Sequence, residues 1–270
     1  MTALLDGCWA KLERAEESIK HLDLDAAAFF RTDPPPFKIV GEHKKSGLEY
    51  VFMAYGDPAV PRRFATIAGE IVHHLRSSLD HLIHALVVKS GNTPTRRNQF
   101  PICTTRENFE SCQKEALKYV SPSARKLVIA VQPYTTPTPH NTILYAIQEY
   151  DNQDKHNLLV VVTAVVQVGQ EITIGVDDAI ADSQERKGKT PAIVGLGDPS
   201  PKKISTEGTE VFSIRLAEPA PELFAKANIV PQLAFEKCGQ VKLALTIRTL
   251  SGLLAGTRNT IKSFLSEFED

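Results

Sequence analysis

Apolar positions at helical spacing open the chain. Leu5, Trp9, Leu12, Ile19 and Leu22 predict a first helix over 2–30. The prolines at 34–36 close it, because proline cannot continue a helix. The runs FKIVGEH and LEYVFMAY then flank KKSG. Both are rich in β-branched and aromatic residues, and Gly47 tolerates positive φ. A β-hairpin over 37–55 is the expectation.

The helical period returns over 62–89, opened by Pro61 and closed by Ser90-Gly91. FPIC after it reads as a short extended segment. Two shorter helices are expected over 107–119 and 123–132, the second started by Ser121-Pro122. PYTTPTPHN is a proline-rich loop. A helix over 142–155 runs into LLVVVTAVVQV, which reads as a buried strand. Gly169-Gln170 followed by EITIGV suggests a second hairpin. The polar stretch 177–208 reads as a long, partly mobile excursion. Strands over 210–216 and 230–235 follow. A C-terminal helix over 240–268 then carries Leu250, Leu254, Ile261, Leu265 and Phe268 on one stripe. This order predicts one α+β domain over 1–270. Long amphipathic helices would form a bundle-like layer packed with an antiparallel sheet. The helical part would be mainly 1–157, with the hairpin at 37–55 inside it, and the β-rich part 158–236.

Composition narrows the function classes. A net charge of −1 over 270 residues gives no global field to gather nucleic acid or acidic membranes. The pairs Arg62-Arg63, Arg96-Arg97 and Lys202-Lys203 are the local exceptions. Cys8, Cys103, Cys112 and Cys238 contain no C-x-x-C pair, which argues against a thiolate zinc site. GLGDPS lacks the Gly-Lys-Ser/Thr ending of a phosphate loop, so no cofactor is expected. The N-terminus lacks an apolar signal core, and LLVVVTAVV is too short to span a bilayer as a helix. A cytoplasmic protein with free thiols, and no membrane partner, is the expectation.

The informative segment is GEIVHHLRSSLDHLIHAL, over 69–86. It holds His73, His74, His81 and His84, half of the chain's 8 histidines. At ~100° per residue, Ile71, Val72, Leu75, Leu79, Leu82 and Leu86 share a core face. Glu70, His73, His74, Ser77, Asp80, His81 and His84 share the opposite face, and Arg76 sits on the flank. A bland, solvated helix face is one reading. The other is a polar cluster facing a second helix, and 142–155 supplies a partner stripe in Glu149, Asn152 and His156. Asp154, Lys155 and His156 end that helix and would join the site.

Three chemistries fit such a cluster. Glu70-x-x-His73 has metal-ligand spacing, but only Gln153-x-x-His156 stands where a di-iron site needs a second copy. A mononuclear site from His73 or His74, His81 and His156 stays open, as does a metal-dependent enzyme using Glu70, His73 and His81. Ser77 and Ser78 lie mid-helix without a nucleophile elbow. Arg76 and His81 form an Arg-x4-His motif that resembles the HEPN superfamily. That resemblance implies a metal-independent endoribonuclease, or an RNA-binding protein, of a toxin or phage-defence kind. The implied site is composite, shared across a homodimer. Arg76 would clamp phosphate and His81 would move the 2′-hydroxyl proton, with no metal or cofactor. Departures are Ser77 after the arginine, where Asn is usual, and Asp80, His74 and His84, which lie outside the pattern.

A second resemblance spans more of the chain. The 69–82 segment, FPI, QPY and DKHN are similar to an uncharacterised bacterial family with GE-x-x-H-x-LRSALDHL and DKHR segments. It implies that 69–82 and 154–157 belong to one site or core, with Asn157 replacing the usual Arg. A non-catalytic protein whose His/Arg/Asp cluster is structural is the rival reading.

Overall fold

The computed structural model describes residues 3–44, 47–56, 59–176, 191–221, 223–238 and 241–269. The chain is α+β, as the pattern predicts. Helix α1 (Asp6–Phe30) follows a 3-10 turn at Ala3–Leu5 and ends before the prolines. Strands β1 (Lys38–Lys44) and β2 (Glu49–Tyr55) form the expected hairpin. Helix α2 spans Arg62–Lys89, between Pro61 and the Ser90-Gly91 stop. Helices α3 (Arg106–Ala116) and α4 (Pro122–Ala130) are capped by Thr105 and Ser121, whose hydroxyls accept from Asn108 N and Ala124 N. Helix α5 (Ile143–His156) is capped by Thr142 in the same way.

The β region departs from the expectation in four respects. First, β3 runs unbroken from Val161 to Val176. There is no hairpin at Gly169-Gln170. The partner strand β7 (Leu223–Cys238) pairs with both halves of β3, from Val161↔Phe235 to Val176↔Leu223. The Gly-Gln step is absorbed as a register shift between Gln167 and Ile172. Second, the excursion is not structureless. Its residues 177–190 lie outside the described residues, but Ile193–Leu196 is β4 and Lys202–Lys203 is β5. Third, the last helix starts late. Val241–Leu245 forms β8 against β7, as its alternating VKLAL pattern allows, and α6 covers Thr246–Lys262 with a 3-10 turn at Leu265–Phe268.

Fourth, there is no single sheet. Among the described residues the strands form two antiparallel sheets, β1-β2-β6-β4, with β6 at Thr209–Leu216, and β5-β3-β7-β8. Tyr50, Phe52, Phe212 and Ile214 of the first sheet share one buried cluster with Leu223 and Ala225 of the second. The hairpin at 37–55 therefore belongs to the β part, not the helical part. A larger core unites the helices. Leu12, Leu22, Phe64, Leu75, Leu79, Leu82, Leu254 and Phe264 are buried in it together with Leu233 and Phe235 of β7. The Tyr150 ring of α5 stands 4.8 Å from that of Phe235. Helix α2 is the central element. Its apolar face packs into this core, and its polar face must find partners on three sides.

Candidate functional site

The period of α2 is as the sequence predicts. Leu75, Leu79, Leu82 and Leu86 are buried, while Glu70, His73 and His81 are exposed and His74, Ser77, Asp80 and His84 half-buried. This polar face is not one site. Three neighbours divide it.

The first neighbour is the segment 95–103. Arg76 is only 8% exposed, and its Nη2 lies 3.1 Å from Asp80 Oδ1. The same Asp80 oxygen accepts from Phe100 N at 2.8 Å. One turn on, a ring nitrogen of His84 lies 3.0 Å from Asn98 O. Residues 76, 80 and 84 therefore form an i, i+4, i+8 row along which the segment is laid. From the other side, Gln132 donates to Pro101 O at 2.8 Å and accepts from Cys103 N at 3.0 Å. FPIC forms neither helix nor strand, and side chains rather than a sheet satisfy its backbone. Burial pushes the Asp80 carboxyl above the usual carboxylate range, against the pull of the Arg76 charge and the Phe100 amide.

The second neighbour is α5. His73 Nδ1 lies 3.3 Å from Asp151 Oδ1, and Lys155 forms an ion pair with the other oxygen of Asp151. Asp154 packs over Gly69, where a β-carbon would run into its carboxylate. Burial, then the nearby charges of Asp151 and Glu70, raise the Asp154 pKa, while His73 opposes them. Asp154, Lys155, Glu70 and His73 thus gather as expected. His156 does not. It is exposed at the end of α5, and among the described residues no hydrogen bond or ion pair joins it to α2. Glu149 lines a separate cleft with Tyr145 and Arg248, and Asn152 accepts from Gln148 at 2.7 Å. The contacting residue is Asp151, which the sequence reading missed. It occupies an apolar stripe with Leu144 and Ile147, all buried. A lone acid at i, i+3, i+7 of such a stripe was the available signal.

The third neighbour is α1. His81 lies over Gly7, where any β-carbon would collide with its ring. Lys11 acts electrostatically on both His74 and His81. Gly7, Lys11 and Arg14 are successive positions on one face of α1, and Gly7 meets His81 while Arg14 acts on His74, so the two helices run antiparallel. Burial, then the Lys11 charge, lowers both imidazole pKa values. His73 and Arg14 add to this at His74 against Glu70, and His84 adds to it at His81 against Asp80. His74 Nδ1 is buried without a hydrogen-bond partner.

Arg76 and His81, paired by the Arg-x4-His motif, therefore turn to different neighbours within one chain. Helix geometry explains this, because five residues rotate ~140°. Arg76 faces a cleft of about 420 Å³, lined also by Gln99, Pro101, Ile102, Cys112 and Gln148. Its Nη1 is buried with no hydrogen-bond partner. Cys103 and Cys112 meet in the same wall with their sulfurs 3.6 Å apart. Burial and the Cys112 thiol push Cys103 up to about 12, so it holds no thiolate at neutral pH. Cys8, Cys103 and Cys112 are free thiols, as expected, while the Cys238 side chain lies outside the described residues.

Among the described residues no three of His, Cys, Asp and Glu converge so as to hold a metal ion. The set Glu70, His73 and His81 is dispersed over two of the three neighbours. No described helix is long and apolar enough to cross a membrane. No protein-family model, curated protein or solved structure matches the chain.

Proposed function

We propose that the chain binds single-stranded RNA along the edge where 95–103 meets the end of α3. The observation that supports this is a clamp. Buried Asn98 donates to Ala116 O at 3.3 Å and to Lys118 O at 3.0 Å. It brings exposed Arg96 and Arg97 beside exposed Lys118 and Tyr119. Tyr119 is exposed at φ 68°, and Lys118 Nζ stands 5.0 Å from its ring centre. Cations beside an exposed aromatic suit a phosphate backbone and a stacked base. Glu115, 3.3 Å from Arg97, is the acid at this edge.

With Arg97 paired to Glu115, the two cations Arg96 and Lys118 on single-stranded RNA predict roughly a 7-fold loss of affinity between about 50 and 200 mM salt. Fluorescence anisotropy of a labelled oligomer checks it. Arg96→Glu with Lys118→Glu abolishes the binding. Salt-independent binding, or full binding by this double variant, refutes the proposal.

A second reading adds cleavage, favoured by the place of Lys11 between His74 and His81. A neutral imidazole takes the 2′-hydroxyl proton as that oxygen bonds phosphorus, the ammonium stabilises the charge developing on the phosphoryl oxygens, and the P–O5′ bond breaks with the 5′-oxygen taking a proton from water, leaving a 2′,3′-cyclic phosphate. His81 keeps the role that the HEPN resemblance implies, and Arg76 becomes a positioning residue. Neither reading needs a second chain. Incubation with RNA in chelator tests the reading. Cleavage is lost in His81→Ala and in Lys11→Ala, and no cleavage by the parent protein ends it. Binding without cleavage leaves the non-catalytic form of the proposal.

A further inference from the structure

We infer that the Arg76 cleft is a nucleobase pocket that takes guanine. This rests on the RNA-binding reading, because the cleft opens beside Arg97, on the proposed binding edge. The charges in the cleft cancel locally. Arg76 is bonded to Asp80, and Arg97 to Glu115. A free anion therefore meets little net attraction. What the cleft leaves unspent is hydrogen-bond capacity. The two N–H groups of Arg76 Nη1 are buried and have no acceptor. A buried donor without a partner costs free energy that an entering acceptor recovers.

The complementary ligand presents two adjacent acceptors to one guanidinium nitrogen. Guanine does so with O6 and N7, whereas adenine places an amino donor beside N7. Guanine also carries a donor edge. Gln148 spends its amide N–H on Asn152, leaving Oε1 for such a donor. Pro101, Ile102 and the two cysteines supply an apolar wall for the flat ring. The volume of about 420 Å³ falls within the range of small-molecule pockets, roughly 300–1,000 Å³. The walls are rigid in advance, since Asp80, Gln132 and Asn98 fix the backbone of 98–103. The pocket therefore needs little ordering on binding.

Isothermal titration of the full chain with guanosine, adenosine and uridine tests this without a phosphate in the ligand. Guanosine binds at least about tenfold more tightly than adenosine, the discrimination one good arginine contact gives. Arg76→Met, which has no donor, removes the preference. Because that variant disturbs a buried pair, Ser111→Trp is the second test. Ser111 is an exposed residue of the cleft wall on α3, and tryptophan there fills the cleft. It abolishes guanosine binding and leaves the salt-sensitive RNA affinity of Arg96 and Lys118 in place. Equal binding of all three nucleosides, no binding of any, or full guanosine binding by Ser111→Trp overturns the pocket. Binding of inorganic phosphate without guanosine also overturns it, in favour of an anion site. Guanosine binding with no RNA binding keeps the pocket and refutes the RNA edge instead.

Discussion

Two faces of one helix separate here by what they touch. The row Arg76, Asp80, His84 meets an irregular segment whose backbone has no sheet or helix to satisfy it. Asp80 and His84 are consumed in bonding that segment, and Arg76 is held by Asp80. The row His74, Ser77, His81 meets another helix, whose backbone is already bonded within itself. No such demand exists there, and the imidazoles lie against Gly7 and Lys11 without acceptors from α1. Here the row facing irregular backbone is consumed structurally, while the row facing α1 is left unbonded among the described residues.

The comparison breaks most clearly at Arg76. Arg76→Ala leaves half-buried Asp80 without its cation and should lose about 3 kcal/mol in denaturant unfolding. His81→Ala on the other row should change stability by under about 0.5 kcal/mol. Equal losses would erase the distinction between the rows. Next in size is Gln132→Ala, which leaves Pro101 O and Cys103 N without partners and should cost about 1–3 kcal/mol. The same segment should then show faster amide exchange at Phe100 and Cys103, while α1 is unaffected.

Gly7→Ala probes the seam itself. The added methyl meets only the movable ring of His81, so the cost should stay below about 1 kcal/mol. Its signature is instead an upward move of the His81 pKa in a proton NMR titration, as the ring swings toward water. A pKa that stays in place would deny that α1 partly shields this exposed ring.

The smallest effect concerns pH. The folded-state pKa values of His74 and His81 lie below the unfolded value near 6.5, so the unfolded chain binds more protons in that range. Stability from the neutral imidazoles is therefore present above about pH 6.5 and lost as pH falls through the lower folded values. Asp80 acts oppositely and in a more acidic window. Its raised pKa makes ionisation costly in the fold, so its contribution weakens as pH rises above the usual carboxylate value of 3.8. Melting temperature should fall from pH 7 to pH 5.5, and His74→Asn with His81→Gln should flatten that slope. An unchanged slope would place the titrating groups elsewhere.

The sequence by itself determined what depends on neighbours along the chain. The span of α2, its buried leucines, the first hairpin and the helix starts at Thr105, Ser121 and Thr142 follow from period, proline and capping chemistry. These act within a few residues. The α+β class follows from their order. Tertiary structure decided whatever depends on a distant partner. Gly169-Gln170 has the composition of a turn, yet β7 is long enough to pair on both sides of it, so β3 continues. VKLAL is ambiguous until β7 offers an edge. Likewise, the sequence marked the polar face of α2 but not its division. Whether Arg76 is a clamp for phosphate or for Asp80 depends on the segment 95–103 that folds back on it. Whether Asp151 or His156 meets His73 depends on the rotation of α5, which its buried Leu144, Ile147 and Tyr150 fix against the core. A one-residue step turns a helix by ~100°, so a small error in phase assigns the wrong residue to a site.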